Sequence, residues 1–132
     1  MRTFQLILII STFLLTSCVD ESVDLNDIEG TYEGTFIRTS PNAKYAPSQV
    51  TLIFSNGQFQ GASETTKYPA ICSGTYEIKG TKVDFANSCV WTAEFDWSLI
   101  LSGEFTAELT SNELTLQRKN GSTWDLYELK RK

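Results

Sequence analysis

Trp97-Ser-Leu-Ile-Leu-Ser-Gly-Glu-Phe-Thr-Ala-Glu-Leu109 is the stretch that decides the fold class of this chain. Trp97, Leu99, Leu101, Gly103, Phe105, Ala107 and Leu109 share one parity, and Ser98, Ser102, Glu104, Thr106 and Glu108 fill the other, with Ile100 the exception. Successive strand residues point to opposite faces, so a period of two predicts a strand with one apolar face and one wet face. Working outward, Ser111-Asn112 predicts a turn and Leu114 and Leu116 a return strand. Asn120-Gly121 is a hairpin signal, after which Trp124 and Leu126 close the chain. Tyr127 and Leu129 have the opposite parity and leave the inner face of that last strand open.

Toward the N-terminus the same period continues. Val83 and Phe85 alternate with Asp84; Gly74, Tyr76 and Ile78 alternate with Thr75 and Glu77 up to Gly80. Val50, Leu52 and Phe54 run into Asn56-Gly57, the strongest short hairpin signal because both turn residues must take positive φ. Phe59 and Gly61 follow, and Tyr32, Gly34 and Phe36 share one face of the first strand. About eight strands across residues 29–132, roughly 13 residues per strand and turn, suit a small antiparallel barrel or sandwich. Tight consecutive hairpins favour an all-β, single antiparallel up-and-down barrel, which also removes exposed sheet edges. Two longer loops, 39–47 and 62–71, are expected to rim its mouth.

The chain has 132 residues, 11 basic and 16 acidic side chains and no histidine. Arg2 precedes an apolar run from Phe4 to Leu15, too short for a bilayer span but the length of a signal-peptide core. Leu15-Thr16-Ser17-Cys18 closes it. That pattern resembles the bacterial lipobox. The resemblance implies cleavage of residues 1–17 and lipidation of Cys18, a lasting membrane anchor when several acyl chains are attached. The expected organisation is a signal peptide (1–17), the lipidated cysteine with an acidic linker (18–28) and a β-barrel domain (29–132). The linker resembles the surface-export signal of Bacteroidota lipoproteins; a plain solvated tether reads equally well. Localisation is then the cell envelope, on an outer membrane, facing the periplasm or the surface.

After loss of Arg2 the side chains carry 10 basic against 16 acidic groups. An acidic surface with no basic cluster argues against nucleic acid. With Cys18 lipidated, Cys72 and Cys89 remain, an even pair that reads as a disulfide in an exported protein.

Gly30-Thr31-Tyr32 is similar to the Gly-x-Trp opening of lipocalin and avidin-type barrels, with Tyr in place of Trp. Tyr68-Pro-Ala-Ile-Cys72-Ser-Gly-Thr-Tyr76 and Ser88-Cys89-Val-Trp91-Thr-Ala-Glu-Phe-Asp-Trp97 carry the likeness further. Across residues 29–132 the chain resembles the small lipocalin-like lipoproteins of Bacteroidota, which implies an eight-stranded barrel or a close relative. The resemblance also implies that one arginine, Arg38 or Arg118, closes the barrel bottom near Tyr32.

The absence of histidine removes Ser-His-Asp and Cys-His catalysis and imidazole-bound metals. Glu94 and Asp96 are the best carboxylate pair, but their parity points them to water. No enzyme activity and no cofactor are expected. The aromatic set is more informative. Tyr32, Phe36, Tyr76, Trp91, Trp97, Phe105 and Trp124, with Arg38 and Arg118 at strand ends, are the candidate ligand-binding residues of an aromatic cup. An eight-strand barrel is just wide enough to be filled by side chains or to hold one small ligand. The sequence therefore leads to a monomeric, membrane-anchored binder of a small apolar or amphipathic ligand. The alternative is an envelope interaction module with a solid barrel and a protein or glycan partner.

Overall fold

The computed structural model describes residues 17–18, 21–92 and 94–132. The expected signal peptide, apart from Ser17, and the acidic residue Asp20 lie outside the described residues. Eight strands form one closed barrel in sequence order: β1 (Gly30–Thr39), β2 (Ser48–Ser55), β3 (Gln58–Ser63), β4 (Ser73–Lys79), β5 (Lys82–Asn87), β6 (Gly103–Leu109), β7 (Glu113–Asn120) and β8 (Thr123–Arg131). Every neighbouring pair is antiparallel, and β8 returns to β1, from Tyr32 opposite Arg131 to Thr39 opposite Trp124. Among the described residues no helix is long and apolar enough to cross a membrane.

Turn chemistry sets the register. Asn56 and Gly57 take φ of 50° and 73°, so Ser55 pairs Gln58 across a two-residue loop with both turn residues at positive φ. The second hairpin differs by one residue from the Asn120-Gly121 expectation. Asn120 stays in the ladder opposite Thr123, and the loop is Gly121-Ser122. A positive φ at the first loop position, here 61° at Gly121, is enough for that alternative two-residue turn.

Up-and-down order puts all odd-numbered connections at one end and all even-numbered ones at the other. The turn end carries Asn56-Gly57, Gly80-Thr81 and Ser111-Asn112. The loop end carries segments 40–47, 64–72 and 88–102 and the short Gly121-Ser122 turn. The expected rim loops thus share one end. Cys72 and Cys89 form a disulfide there, tying the start of β4 to the segment that follows β5. It sits beside the shortest ladder of the barrel, the three residue pairs between β3 and β4.

The Trp97–Leu109 reading holds only from Gly103 onward. Asp96 accepts a hydrogen bond from the Ser98 backbone N–H and caps a 3-10 turn at Trp97–Leu99. Ile100 and Leu101 then dock on Ala70 through backbone bonds of 3.0 Å from Ala70 N–H to Leu99 and from Leu101 N–H to Ala70. Gly103, the first residue of β6, takes φ 83° and breaks the pleat between the segment before it and the strand. Alternation upstream of a glycine in this conformation does not continue the strand.

The N-terminal boundary also moves. Val23 donates its backbone N–H to Leu109 at 2.7 Å, a 3-10 turn follows at Leu25–Asp27, and Leu25 and Ile28 are buried in the core. The fold therefore begins at Val23, within the stretch expected to be linker. Two isolated apolar residues among acidic ones show no periodicity, yet each covers an open barrel end.

Candidate functional site at the loop end of the barrel

The barrel interior is filled by its own side chains. Tyr32, Phe36 and Phe105 are each at most 1 % exposed. Tyr32 meets Phe54 edge to face with centroids 5.8 Å apart, Phe36 meets Tyr127 at 4.9 Å, and Phe85 links Phe59 and Phe105 at 5.2 and 5.7 Å. Edge-to-face pairs at these distances are close-packed aromatic contacts. Tyr76 is half-buried and packs on Phe54 at 5.1 Å. These four candidate residues are parts of the core. Added Cβ atoms at Gly34, Gly61 and Gly74 would collide with the carbonyl oxygens of Glu128, Thr51 and Ala86, so close strand approach takes up the space those glycines leave.

Two candidate residues sit outside the inner face, contrary to expectation. Trp97 is 55 % exposed and Trp124 40 %. In β8 the inner parity belongs to Asp125, Tyr127 and Leu129, and Trp124 faces out with Lys119 above its ring at 5.3 Å. Trp97 lies on the 3-10 turn, off the sheet entirely. Trp91 is half-buried on the same loop, its indole N–H donating to the Asn87 side-chain oxygen at 3.3 Å.

Arg38 and Arg118 occupy inner positions at the loop end, on one rung with Asp125 between them. Asp125, only 2 % exposed, accepts from Arg38 Nε at 2.6 Å and Nη2 at 2.8 Å, and from Arg118 Nη2 at 3.3 Å. The segment after β5 completes the layer. Asp96 and the Ser98 hydroxyl accept from Arg38 Nη1 at 3.1 and 3.0 Å, and the Ser98 carbonyl accepts from both arginines. All five guanidinium N–H groups of Arg38 are thereby engaged. Burial works against the Arg38 charge, but the hydrogen bond and charge of Asp125 outweigh it and hold the guanidinium firmly protonated. The Ser98 hydroxyl, opposed by burial and helped by the Ser98 N–H and Arg38, lowers the Asp96 carboxyl below the usual range.

The arginine near Tyr32 is neither of these. Arg131 stacks on the Tyr32 ring at 5.0 Å and donates to the carbonyls of Asp27 and Glu29 at 2.8 and 2.6 Å. Tyr32 donates its hydroxyl to Ile28 at 2.8 Å. Arg38 and Arg118 lie at the opposite end, so neither closes the barrel near Tyr32; the arginine there comes from the last strand. Glu94 is exposed, while Asp96 is engaged by Arg38 and Ser98, so the two carboxylates do not converge across a cleft.

What the loop end offers to solvent is aromatic. Trp91, Phe95 and Trp97 follow one another with centroids 5.8 and 6.3 Å apart, and Val90 beside them is fully exposed. Lys67 lies over Phe95 at 5.1 Å and donates to Thr92 at 2.9 Å. Tyr45, 40 % exposed, stacks on Tyr68 at 6.2 Å above Phe36. On the outer wall below Trp124, Lys82, Glu104, Gln117 and Lys119 line a groove of about 400 Å³. Asp125, Ser98 and Arg131 are contributors outside the candidate residues of the sequence. Asp125 alone carried a signal, an acidic residue at the parity of Tyr127 and Leu129.

Comparison with protein-family models, curated proteins and solved structures gives no match. The site is therefore read from its own chemistry.

Proposed function

We propose that this protein is a lipid-anchored, non-enzymatic interaction module of the cell envelope that binds a glycan through the loop end of a solid barrel. The filled interior carries this reading. A small apolar ligand would have to displace the packed rings of Phe36, Phe85, Phe105 and Tyr127, whereas the exposed aromatic side chains stand at the rim. At that rim Trp91, Phe95 and Trp97 alternate with Thr92, Glu94, Asp96 and Ser98. Flat apolar faces separated by hydroxyl and carboxylate groups suit a sugar, whose ring carries C–H bonds on its faces and hydroxyls around its edge. One dry contiguous patch, the usual centre of a protein interface, would suit a protein partner better. The lipobox reading of Cys18, exposed and unpaired here, supports the anchor. The disulfide supports an oxidising compartment. The closed eight-strand barrel supports the lipocalin-like part of this reading.

The test is tryptophan fluorescence of the soluble domain against a panel of envelope and host glycans, with the Trp97→Ala and Trp91→Ala variants alongside. Saturable binding lost in both variants is the expected result. A small molecule co-purifying in native mass spectrometry, with no glycan response, would overturn the reading in favour of an interior ligand.

A further inference from the structure

We infer that the barrel stands on its membrane with the turn end down, so that the loop-end aromatics face away from the anchoring bilayer. Their partner is then a glycan outside that bilayer, not the head groups of its own lipids. This orientation rests on lipidation of Cys18, as proposed above.

The argument begins at the N-terminal segment. Val23 is held to Leu109, the last residue of β6, which ends at the turn end. Leu25 and Ile28 are buried against the core from that side. Arg131 clamps the carbonyls of Asp27 and Glu29 while lying on Tyr32, and the Tyr32 hydroxyl holds Ile28. The chain thus leaves the barrel beside the Gly80-Thr81 turn, where Val23, Leu25, Thr81, Ala107 and Leu109 line an open groove of about 600 Å³.

Docking shortens the leash. Five chain steps separate Cys18 from Val23, at most about 18 Å when fully extended. Had the fold begun at Gly30, twelve steps would have allowed more than twice that reach. The ten residues of β1 rise about 33 Å along the strand, and a tilt near 40° leaves a barrel roughly 25 Å tall. A tether of about 18 Å rooted at the turn end cannot turn such a barrel over to lay its far rim on the membrane.

The experiment uses the full-length lipoprotein in liposomes of phosphatidylethanolamine and phosphatidylglycerol. With Cys18 acylated and Cys72 paired to Cys89, one added thiol takes a fluorophore uniquely. Ser111→Cys marks the turn end and Asn42→Cys the loop end. Nitroxide-labelled head groups are expected to quench the Ser111→Cys label several-fold more than the Asn42→Cys label. Equal quenching, or stronger quenching at the loop end, overturns the orientation. Two further variants report the cause. A flexible 20-residue insertion before Val23, or release of the docked segment by Leu25→Gln, is expected to bring the two labels together; an unchanged difference would show that docking does not set the geometry. Flotation of each sample beforehand separates the two proposals. A protein that does not float refutes the lipid anchor, whereas one that floats with equal quenching refutes only the orientation.

Discussion

Asp125 meets two guanidiniums across the same rung of the barrel, and its side chain is 3 % exposed against 2 % for Arg38. Removing one partner of a buried ion pair strands the other charge, which costs about 3–5 kcal/mol. Asp125→Ala is therefore expected to destabilise the domain by that amount in urea titration. The double variant Arg38→Met/Asp125→Leu is expected to recover most of the loss, because apolar replacement of a buried pair is often neutral. A double variant as unstable as the single one would mean that the loss comes from Arg118 left without Asp125, or from the contacts of Arg38 with Asp96 and Ser98. The tyrosines impose a second dependence. Burial pushes the hydroxyls of Tyr32, Tyr68, Tyr76 and Tyr127 above their ordinary range, Tyr127 far above it. A folded-state pKa raised above the unfolded one gives stability that is complete below the unfolded value and lost as pH rises beyond it. Thermal midpoints should therefore hold up to about pH 10, the unfolded tyrosine value, and fall above it. In Tyr32→Phe/Tyr127→Phe that alkaline limb should flatten.

At the scale of elements, what the sequence makes legible is whatever depends on neighbours in the chain. Asn56-Gly57 fixes the β2–β3 hairpin by its own backbone preferences, and the alternation of β1, β2, β6 and β7 follows from which residues tolerate water. Trp97 and Trp124 lie off the inner face because their positions are set by distant contacts. The 3-10 turn under Trp97 exists because Asp96 and Ser98 engage Arg38, 58 and 60 residues away. The inner face of β8 carries Tyr127 and Leu129 together with Asp125, which reaches Arg38 and Arg118, and leaves Trp124 outside. The same long-range logic gives the disulfide its role. Cys72 and Cys89 tie the docked segment 88–102 to the barrel, and Ser88 donates its N–H to Ser73 at 2.9 Å beside them. For a loop of this length the chain-entropy contribution is about 3 kcal/mol. Replacing both cysteines by alanine is expected to lower unfolding stability by about that much, with the largest gain in amide exchange confined to residues 95–101. Uniform exchange throughout the barrel would place the disulfide's effect on the whole fold and not on the segment over the mouth.

For the whole molecule, a filled barrel and an aromatic rim assign stability and recognition to different side chains. Phe105 lies within 6 Å of Phe85 and Tyr127, with Arg118 over its face at 4.4 Å. Phe105→Ala removes a core ring and is expected to cost about 3–5 kcal/mol. The resulting hollow is lined mainly by apolar atoms, and such cavities stay dry and take up small apolar solutes. The variant should therefore gain benzene or xenon binding that the native protein lacks, while its glycan response survives wherever it remains folded. Trp97→Ala should do the reverse. The indole is more than half exposed, so its removal should change stability by no more than about 0.5 kcal/mol, yet abolish the glycan response. If native protein already binds benzene, or if Phe105→Ala and Trp97→Ala lose recognition together, the interior and the rim act as one site. The separation of roles argued from the packed rings would then fail. If the two variants part as described, the barrel serves as a rigid stand about 25 Å tall, by the strand-rise and tilt reasoning given above. The proposed anchoring segment and the proposed recognition surface occupy opposite ends because up-and-down strand order sends the long loops to the end away from Val23.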